Sequence, residues 1–188
     1  MKLMMPSRTA RLLVGIVGCV WIRVVSLLAR LGLAAVWLAS GWAKASDPAQ
    51  TLLAVRAYRL LPEPAVQAVA IGLPSLELAL GVLLLIGLAT RWSAIASALL
   101  LAILIAGVAS AWVRGLQIDC GCFGGGGEDA SANWRTYGVE ILRDVGFLAL
   151  AGWLAVFPRS TWSLGAGSRP ALEEYEELEP ANQYQRTD

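Results

Sequence analysis

Histidine is absent from this 188-residue sequence, and its absence removes a class of chemistry. Without imidazole the chain has no histidine metal ligand, no histidine haem ligand and no histidine proton shuttle near neutral pH. Chemistry must instead rely on thiols, carboxylates, lysine or arginine. We predict no metal site. A soft-metal chelate on two thiolates remains an alternative, although its further ligands are hard to name.

Charge is scarce as well. Charged residues make up 15% of the chain and hydrophobic residues 57%, whereas about 25% of an ordinary soluble domain is charged. The formal net charge of +1 gives no reason to expect nucleic acid as a partner. We therefore predict an integral membrane protein with the lipid bilayer as its surroundings. The fold should be all-α, because irregular backbone facing lipid would leave its amides unpaired.

Four apolar windows match the length of a membrane span, for which about 20 helical residues are needed. They cover residues 27–45, 66–88, 94–113 and 138–157. The link Thr90-Arg91-Trp92 is so short that the second and third helices should be antiparallel neighbours. The sequence thus predicts an integral membrane four-helix bundle over residues 27–157, in which Arg30 reaches towards the headgroups. Glycines within the windows should let helix backbones approach closely.

The two ends of the chain differ from this central domain. Residues 1–26 are basic and are predicted to be an interfacial extension of the first helix. A secretory signal peptide, or a lipoprotein-processing box ending at Cys19, stays open as an alternative; otherwise Cys19 is a small buried hydrophobe. Residues 158–188 are acidic and are predicted to form a disordered cytoplasmic tail, with an acidic interaction tail as the alternative.

Positive charge predicts the orientation of the chain in the membrane. Four basic residues precede the first window: Lys2, Arg8, Arg11 and Arg23. They favour both termini on the cytoplasmic side of the plasma membrane in a multi-pass protein. The loop between the third and fourth helices would then be extracytoplasmic, where disulfides persist.

That loop carries a Cys-Gly-Cys pair, Cys120 and Cys122, followed by four glycines at 124–127. A disulfide across one residue closes a small ring, and Gly121 supplies the backbone freedom for closure. Such a bond should be strained, and strain raises the reduction potential, which suits thiol-disulfide exchange. A passive structural disulfide remains open, although structural cross-links usually close longer loops. The four glycines are expected to keep the loop mobile.

The nucleophile of the pair should be the thiol with more thiolate character. An ordinary thiol is mostly protonated at pH 7, so a reactive one needs a nearby cation. Arg114, Arg135 and Arg143 are the candidates. Asp119 disfavours thiolate at its neighbour Cys120, so we predict Cys122 as the better nucleophile.

Charges inside the apolar windows form a second signal. Glu77 needs a partner within the membrane, and Lys44 is the expected one. Glu140, Arg143 and Asp144 lie within two turns of the fourth helix, so Arg143 can pair with Glu140 and also face the thiol loop. These residues are either satisfied ion pairs of the bundle, or a proton relay or headgroup site beneath the cysteines.

Several sequence blocks, in order, resemble the MauE branch of the DoxX-like membrane proteins over about residues 27–157. The blocks are Ala39-Ser40-Gly41-Trp42-Ala43-Lys44 with Asp47-Pro48, Tyr58-Arg59-Leu60-Leu61-Pro62, Pro74-Ser75-Leu76-Glu77-Leu78-Ala79-Leu80-Gly81, Asp119-Cys120-Gly121-Cys122-Phe123-Gly124 and Leu142-Arg143-Asp144. The resemblance implies a four-helix membrane protein linked, in methylamine utilisation, to maturation of a disulfide-rich periplasmic dehydrogenase subunit beside a thioredoxin-like partner. Relatives in the wider group are tied to quinone-linked oxidation of sulfur compounds, which leaves a quinone open as cofactor. Methylamine itself is not implied for this chain.

Residues and resemblance together lead to one hypothesis. The protein would be a membrane thiol-disulfide oxidoreductase in which Cys120 and Cys122 exchange with an extracytoplasmic thioredoxin-fold protein. Arg143 would favour thiolate, and Glu77 with Lys44 would fix the bundle or relay protons. The alternatives are a non-enzymatic membrane assembly partner with a structural cysteine pair, and a quinone-reactive DoxX-like subunit.

Overall fold

The computed structural model describes the backbone of residues 8–158 and the side chains from residue 20 onward. The start of the basic segment, the Cys19 side chain and the acidic tail from residue 159 lie outside the described residues.

Five helices and one two-stranded sheet make up the described chain. In chain order they are α1 (Arg8–Ser46), α2 (Pro48–Ala57), α3 (Glu63–Ile86), α4 (Thr90–Val113), β1 (Ile118–Asp119), β2 (Gly127–Glu128) and α5 (Trp134–Val156). The strands are antiparallel, with Ile118 opposite Glu128. The predicted all-α class is confirmed, because the strands are only two residues long and merely close the base of the cysteine loop.

Two features differ from the predicted boundaries. Helix α3 ends at Ile86 because Gly87 adopts a left-handed conformation with φ 71°. Helix α4 therefore begins at Thr90, within the stretch predicted to be the link. Helix α2 was not predicted at all, although Asp47-Pro48 is a helix-start signal. The Asp47 carboxylate caps α2 by accepting from the Gln50 amide at 3.0 Å.

The long helices pack in a closed sequence of neighbours: α1 contacts α3 and α5, and α4 contacts α5 and α3. Their core is apolar, with Leu33 and Trp37 of α1, Leu84 of α3 and Leu154 of α5 almost completely buried. A second apolar cluster around Val108 and Tyr137 lies beneath the cysteine loop. The loop is thus seated on the end of the helical core.

Three helices are long and apolar enough to cross a bilayer: Val20–Ser46, Glu63–Ile86 and Thr90–Val113. Large apolar side chains on their outer faces, such as Ile71 and Ile103, are exposed, as expected for surfaces that meet lipid. The chain is a multi-pass membrane protein. Helix α5 differs because Arg135, Glu140, Arg143 and Asp144 occupy its first half.

Arg30 does not reach towards the headgroups as expected, since only 2% of its surface is exposed. The reason is its place on α1. Buried residues recur on this helix every three or four positions, which is the spacing of one helical face; they are Ser26, Arg30, Leu33, Trp37, Ser40 and Lys44. Polar residues therefore occupy both ends of the inward face of α1.

Candidate thiol site

A buried ion pair joins α1 to α3 directly below the cysteine loop. The Lys44 ammonium lies 3.0 Å from Oε1 and 3.1 Å from Oε2 of Glu77, and Glu77 is completely buried. Ser40 Oγ lies 3.1 Å from Oε2 of the same carboxylate. The predicted Lys44–Glu77 pair is confirmed. Ser40 was missed, although its place one turn before Lys44 on the same helix face could have indicated it.

Two glycines make this close pairing of helices possible. A Cβ atom on Gly41 would lie 3.0 Å from the backbone nitrogen of Leu78, and one on Gly81 would lie 2.7 Å from Cγ of Leu38. The expected close approach is confirmed at these two positions. It is not found at Gly32, Gly72, Gly146 or Gly152, where a Cβ would meet nothing within 4 Å.

The ion pair also holds the cysteine loop. Lys44 donates to the carbonyl oxygen of Cys122 at 2.9 Å and to Ser40 Oγ at 2.6 Å, so its three N–H groups all have acceptors. Ser40 Oγ lies 2.6 Å from the same carbonyl and can donate either to it or to Glu77. The backbone at Cys122 is therefore fixed by a buried network rather than by solvent-exposed contacts.

The glycines of the loop have a conformational role. Gly121 and all four glycines at 124–127 have positive φ, a region that side-chain-bearing residues rarely adopt. A Cβ on Gly126 would lie 2.5 Å from Cβ of Ala54, so the loop packs tightly on α2. Asp119 stabilises the turn by accepting from the amides of Gly121 at 3.0 Å and Gly126 at 3.3 Å.

Three further side chains anchor the loop, and sequence reasoning missed all of them. The Tyr58 hydroxyl donates to the Cys120 carbonyl at 3.1 Å. The Tyr137 hydroxyl lies 2.6 Å from the Leu116 carbonyl and accepts from the Ile118 amide at 3.1 Å. Gln50 donates to the Gly126 carbonyl. Gln50 lies on α2 and Tyr58 directly follows it, so the contacts of these two residues depend on the helix that was not predicted. Tyr137 lies at the start of α5.

Both loop cysteines are free thiols and are half-buried. The Cys122 amide donates to Sγ of Cys120 at 3.4 Å, and Nη2 of Arg143 lies 3.9 Å from the same sulfur. Hydrogen bonds from Cys122 and then from Arg143 lower the pKa of the Cys120 thiol to about 6, although burial opposes them. The pKa of the Cys122 thiol is raised, because its hydrogen bond to Cys120 and its burial favour the protonated form.

The geometry therefore favours Cys120 as the nucleophile, whereas the sequence favoured Cys122. The sequence argument relied on Asp119 as an adjacent negative charge. In the folded loop the Asp119 carboxylate is engaged by the backbone amides of Gly121 and Gly126. Arg143, which is distant in sequence, approaches Cys120 instead.

Of the three candidate cations, Arg143 is the one brought to the thiols. Arg114 donates to the backbone carbonyls of Tyr58 and Arg59, and Arg135 stacks on the ring of Trp134 at 5.2 Å. The Arg143 guanidinium also lies over the Phe123 ring at 5.0 Å. Phe123 thus covers the cation that lies beside the Cys120 sulfur.

The expected Arg143–Glu140 pair is not formed. Nε of Arg143 instead donates to Oδ1 of the buried Asp144 at 2.9 Å. Glu140 faces the cysteine loop, where its carboxylate, that of Asp119 and Sγ of Cys120 lie within 4.8 Å of one another. This trio has the spacing of cation ligands, but both Asp119 oxygens already accept amides and Arg143 would repel a metal ion.

A cavity of about 250 Å³ adjoins the thiols. Its lining includes Cys120, Gly121 and Cys122 of the loop, together with Tyr58. Its apolar walls come from α2, α3 and α4 and include Val55, Leu73, Ile103 and Leu104. The cavity therefore lies between the cysteine loop and the apolar helices.

Comparison with known proteins places the chain in a family. The family described as "Methylamine utilisation protein MauE" matches residues 22–157. The methylamine utilization protein MauE of Paracoccus denitrificans is 34% identical over 123 residues, which are 65% of this chain and 63% of the relative. The matched part thus spans less than two thirds of that relative's length. No solved structure matches. Since the match covers nearly all of the helical core and the cysteine loop, the chain belongs to the MauE family.

Proposed function

We propose that the protein is a membrane thiol-disulfide exchange protein that acts on an extracytoplasmic thioredoxin-fold partner. The observation that carries the proposal is the pair of free thiols on an ordered loop. Arg143 lies beside the Cys120 sulfur, and Lys44 of the buried ion pair donates to the Cys122 carbonyl. A passive loop would have no need for Arg143 at Cys120. Such unequal thiols are typical of exchange sites, where one sulfur attacks and the other resolves.

The chemistry needs no further redox group. The Cys120 thiolate attacks one sulfur of the partner disulfide, so an intermolecular S–S bond forms while the partner's own S–S bond breaks and its second sulfur leaves as thiolate. Cys122 then loses its proton and attacks Cys120, releasing the partner's remaining thiolate. Two electrons pass from the loop dithiol to the partner disulfide. The same steps in reverse oxidise a partner dithiol.

The membrane arrangement that suits this chemistry has four spans, with α5 as the fourth. The charged first half of α5 faces inward at Arg143 and Asp144, while Val139 and Leu142 are exposed. With these charged side chains turned inward and its apolar side chains outward, α5 could cross the membrane beside the three apolar helices. Both termini would then be cytoplasmic and the cysteine loop would be outside the plasma membrane.

The biological setting that family membership favours is the maturation of exported proteins that contain disulfides. The relative from Paracoccus denitrificans is named for methylamine utilization. By analogy this chain would act in methylamine utilisation or in a parallel maturation pathway. The identity of the matured protein is open in this proposal, because the loop recognises a disulfide and not an amine.

A second candidate is a quinone-reactive subunit, and the cavity is the observation that favours it. A volume of about 250 Å³ with apolar walls suits a quinone ring, and Tyr58, Cys120 and Cys122 would surround it. A quinone bound there would accept two electrons. The residues of this chain would then exclude water and hold the thiols beside the ring.

Thiol labelling in intact cells tests the exchange function against a purely structural cysteine pair. A membrane-impermeant maleimide should label Cys120 and Cys122 after mild reduction, and labelling without reduction should report the fraction already present as dithiol. The Cys120→Ser/Cys122→Ser variant is the matched control and should lose the labelling. A disulfide that resists mild reduction would support an assembly partner instead. Labelling that requires permeabilised cells would place the loop on the cytoplasmic side.

A further inference from the structure

We propose that Glu140 is a catalytic residue that exchanges a proton directly with the Cys120 thiol. This inference rests on the proposed exchange function and assigns a role within the same site. Glu140 would accept the proton when Cys120 becomes the attacking thiolate, and would return it when Cys120 is released as a leaving group.

The position of the Glu140 carboxylate is the first argument. It lies on α5 with a carboxylate oxygen within 4.8 Å of Cys120 Sγ, which is close enough for transfer after a small adjustment of either side chain. Oε2 of Glu140 is buried and accepts no hydrogen bond from any side chain or amide in the part of the chain that the structure describes. A buried carboxylate oxygen without a donor is costly unless it carries or shares a proton.

The pairing of the surrounding charges is the second argument. Arg143, the cation nearest to Cys120, is engaged by Asp144. The Lys44 ammonium is engaged by Glu77. Neither cation therefore serves as a dedicated counterion for Glu140.

Acidic groups outnumber the available cations around the sulfur. The titratable or charged groups that lie around Cys120 from the loop and the packed helices are Asp119, Cys122, Glu140, Arg143, Asp144, Lys44 and Tyr58. Asp119 already accepts two amides, as an ionised carboxylate does. Full ionisation of both Cys120 and Glu140 would place two more negative charges beside it. Mutual repulsion then favours one proton shared between the thiol and the carboxyl group.

The step that follows balances in atoms and charge. The Cys120 thiol and the Glu140 carboxylate become a Cys120 thiolate and a Glu140 carboxylic acid. The thiolate attacks the partner disulfide as described above. In the reverse direction, the thiolate that leaves at Cys120 takes the proton back from Glu140. No water molecule has to enter the half-buried site to supply or remove this proton.

The test is the pH dependence of Cys120 alkylation in the reduced full-length protein, purified in detergent, with each cysteine resolved by mass spectrometry. In the native protein, the rate at which iodoacetamide modifies Cys120 should rise with pH in two steps, since two coupled groups release their protons in turn. Glu140→Gln should leave a single step. Its rate of reduction of glutathione disulfide at pH 7 should fall by about tenfold or more, the usual scale for loss of a proton-transfer group. Glu128→Gln, at the exposed end of the same loop, should change neither property.

Glu140→Asp keeps the proposal testable if the glutamine variant does not fold. It should retain two steps, because the carboxyl group is kept. Two steps in Glu140→Gln, or a single step in a folded Glu140→Asp, would overturn the assignment. The titration requires no partner, so its outcome is separate from the exchange function. If the second titration step disappears only in Glu140→Gln, the proton role is supported even if no partner exchanges disulfides in cells.

Discussion

Cys120 and Cys122 are nearly equivalent in sequence but have opposite environments in the fold. Cys120 Sγ receives an amide hydrogen bond and lies beside Arg143, whereas the Cys122 carbonyl is fixed by Lys44 and Ser40. Contacts from the loop itself, from α5 and from α1 make the surroundings of the two thiols unequal. The difference comes from tertiary contacts, so a reading of neighbouring residues alone could not reveal it.

The inequality predicts the order in which the two thiols react. Because the pKa of Cys120 is lowered to about 6 and that of Cys122 is raised, iodoacetamide at pH 7 should modify Cys120 at least tenfold faster. Lowering the pH below 6 should slow Cys120, since its thiolate becomes protonated. Arg143→Gln should raise the pKa of Cys120 and slow its alkylation at pH 6 several-fold, whereas Arg135→Gln should not. Equal rates for the two native thiols would contradict the assignment.

The Lys44–Glu77 ion pair gives a second prediction, which concerns stability. Glu77→Leu leaves a buried ammonium without its carboxylate and should lower the free energy of unfolding by about 3–5 kcal/mol. Glu77→Gln keeps an oxygen acceptor and should be milder, and Lys44→Met combined with Glu77→Leu should be more stable than either single variant. Thermal unfolding in detergent measures all of these. Strictly additive losses in the double variant would mean that the two residues are not coupled.

At the scale of elements, the close contact of α1 and α3 is what sets the ion pair beneath the loop. Gly41 and Gly81 leave no room for a side chain where the helices meet. The pair could be predicted from sequence because two opposite charges in apolar helices must find each other. The positions at which α1 and α3 touch could not be predicted, because the sequence does not distinguish the glycines at the contact from the other glycines of the helices.

This contact can be tested with matched alanine substitutions. Gly41→Ala places a Cβ 3.0 Å from the Leu78 backbone nitrogen, so the helices must separate and the stability should fall by about 1–3 kcal/mol. Gly146→Ala is the control because nothing lies within 4 Å of its added Cβ. It should be neutral or stabilising by up to about 1 kcal/mol, as alanine favours helix. Similar melting temperatures for both variants would argue against a tight α1–α3 contact.

The long apolar helices could be predicted from the sequence, but the short helix α2 could not. The windows at 27–45, 66–88, 94–113 and 138–157 fall within or close to α1, α3, α4 and α5. Helix α2 is ten residues long and only weakly amphipathic, and it was missed although it carries Gln50 and packs Ala54 against the loop. Arg143 contacts Asp144 and the Cys120 sulfur instead of the expected Glu140, and these tertiary contacts could not be predicted from spacing on one helix.

In the whole molecule, the helices hold the cysteine loop at one end of the helical core. The buried side chains of α1 place Lys44 beneath Cys122, α2 packs against the glycine turn, and α5 brings Arg143 and Glu140 to Cys120. The family could be predicted from ordered sequence blocks, and the Lys44–Glu77 pair from two opposite charges within apolar helices. The sequence could not supply the direction of the thiol asymmetry, because that depends on residues from separate elements meeting at one sulfur.

Trapping of a mixed disulfide is the most direct test of exchange at this loop. In the Cys122→Ser variant, a partner attached to Cys120 cannot be released by internal attack, so a covalent complex should accumulate as a band of higher mass that disappears on reduction. Helix content and membrane insertion should be unchanged, since the substituted side chain supports no long cross-link. Cys120→Ser should trap far less, because Cys122 is the poorer nucleophile, and Cys19→Ser should behave as the native protein. We expect a Cys120-dependent complex with an extracytoplasmic protein. Full cellular activity of both loop variants, with no trapped complex, would show that the loop does not exchange disulfides.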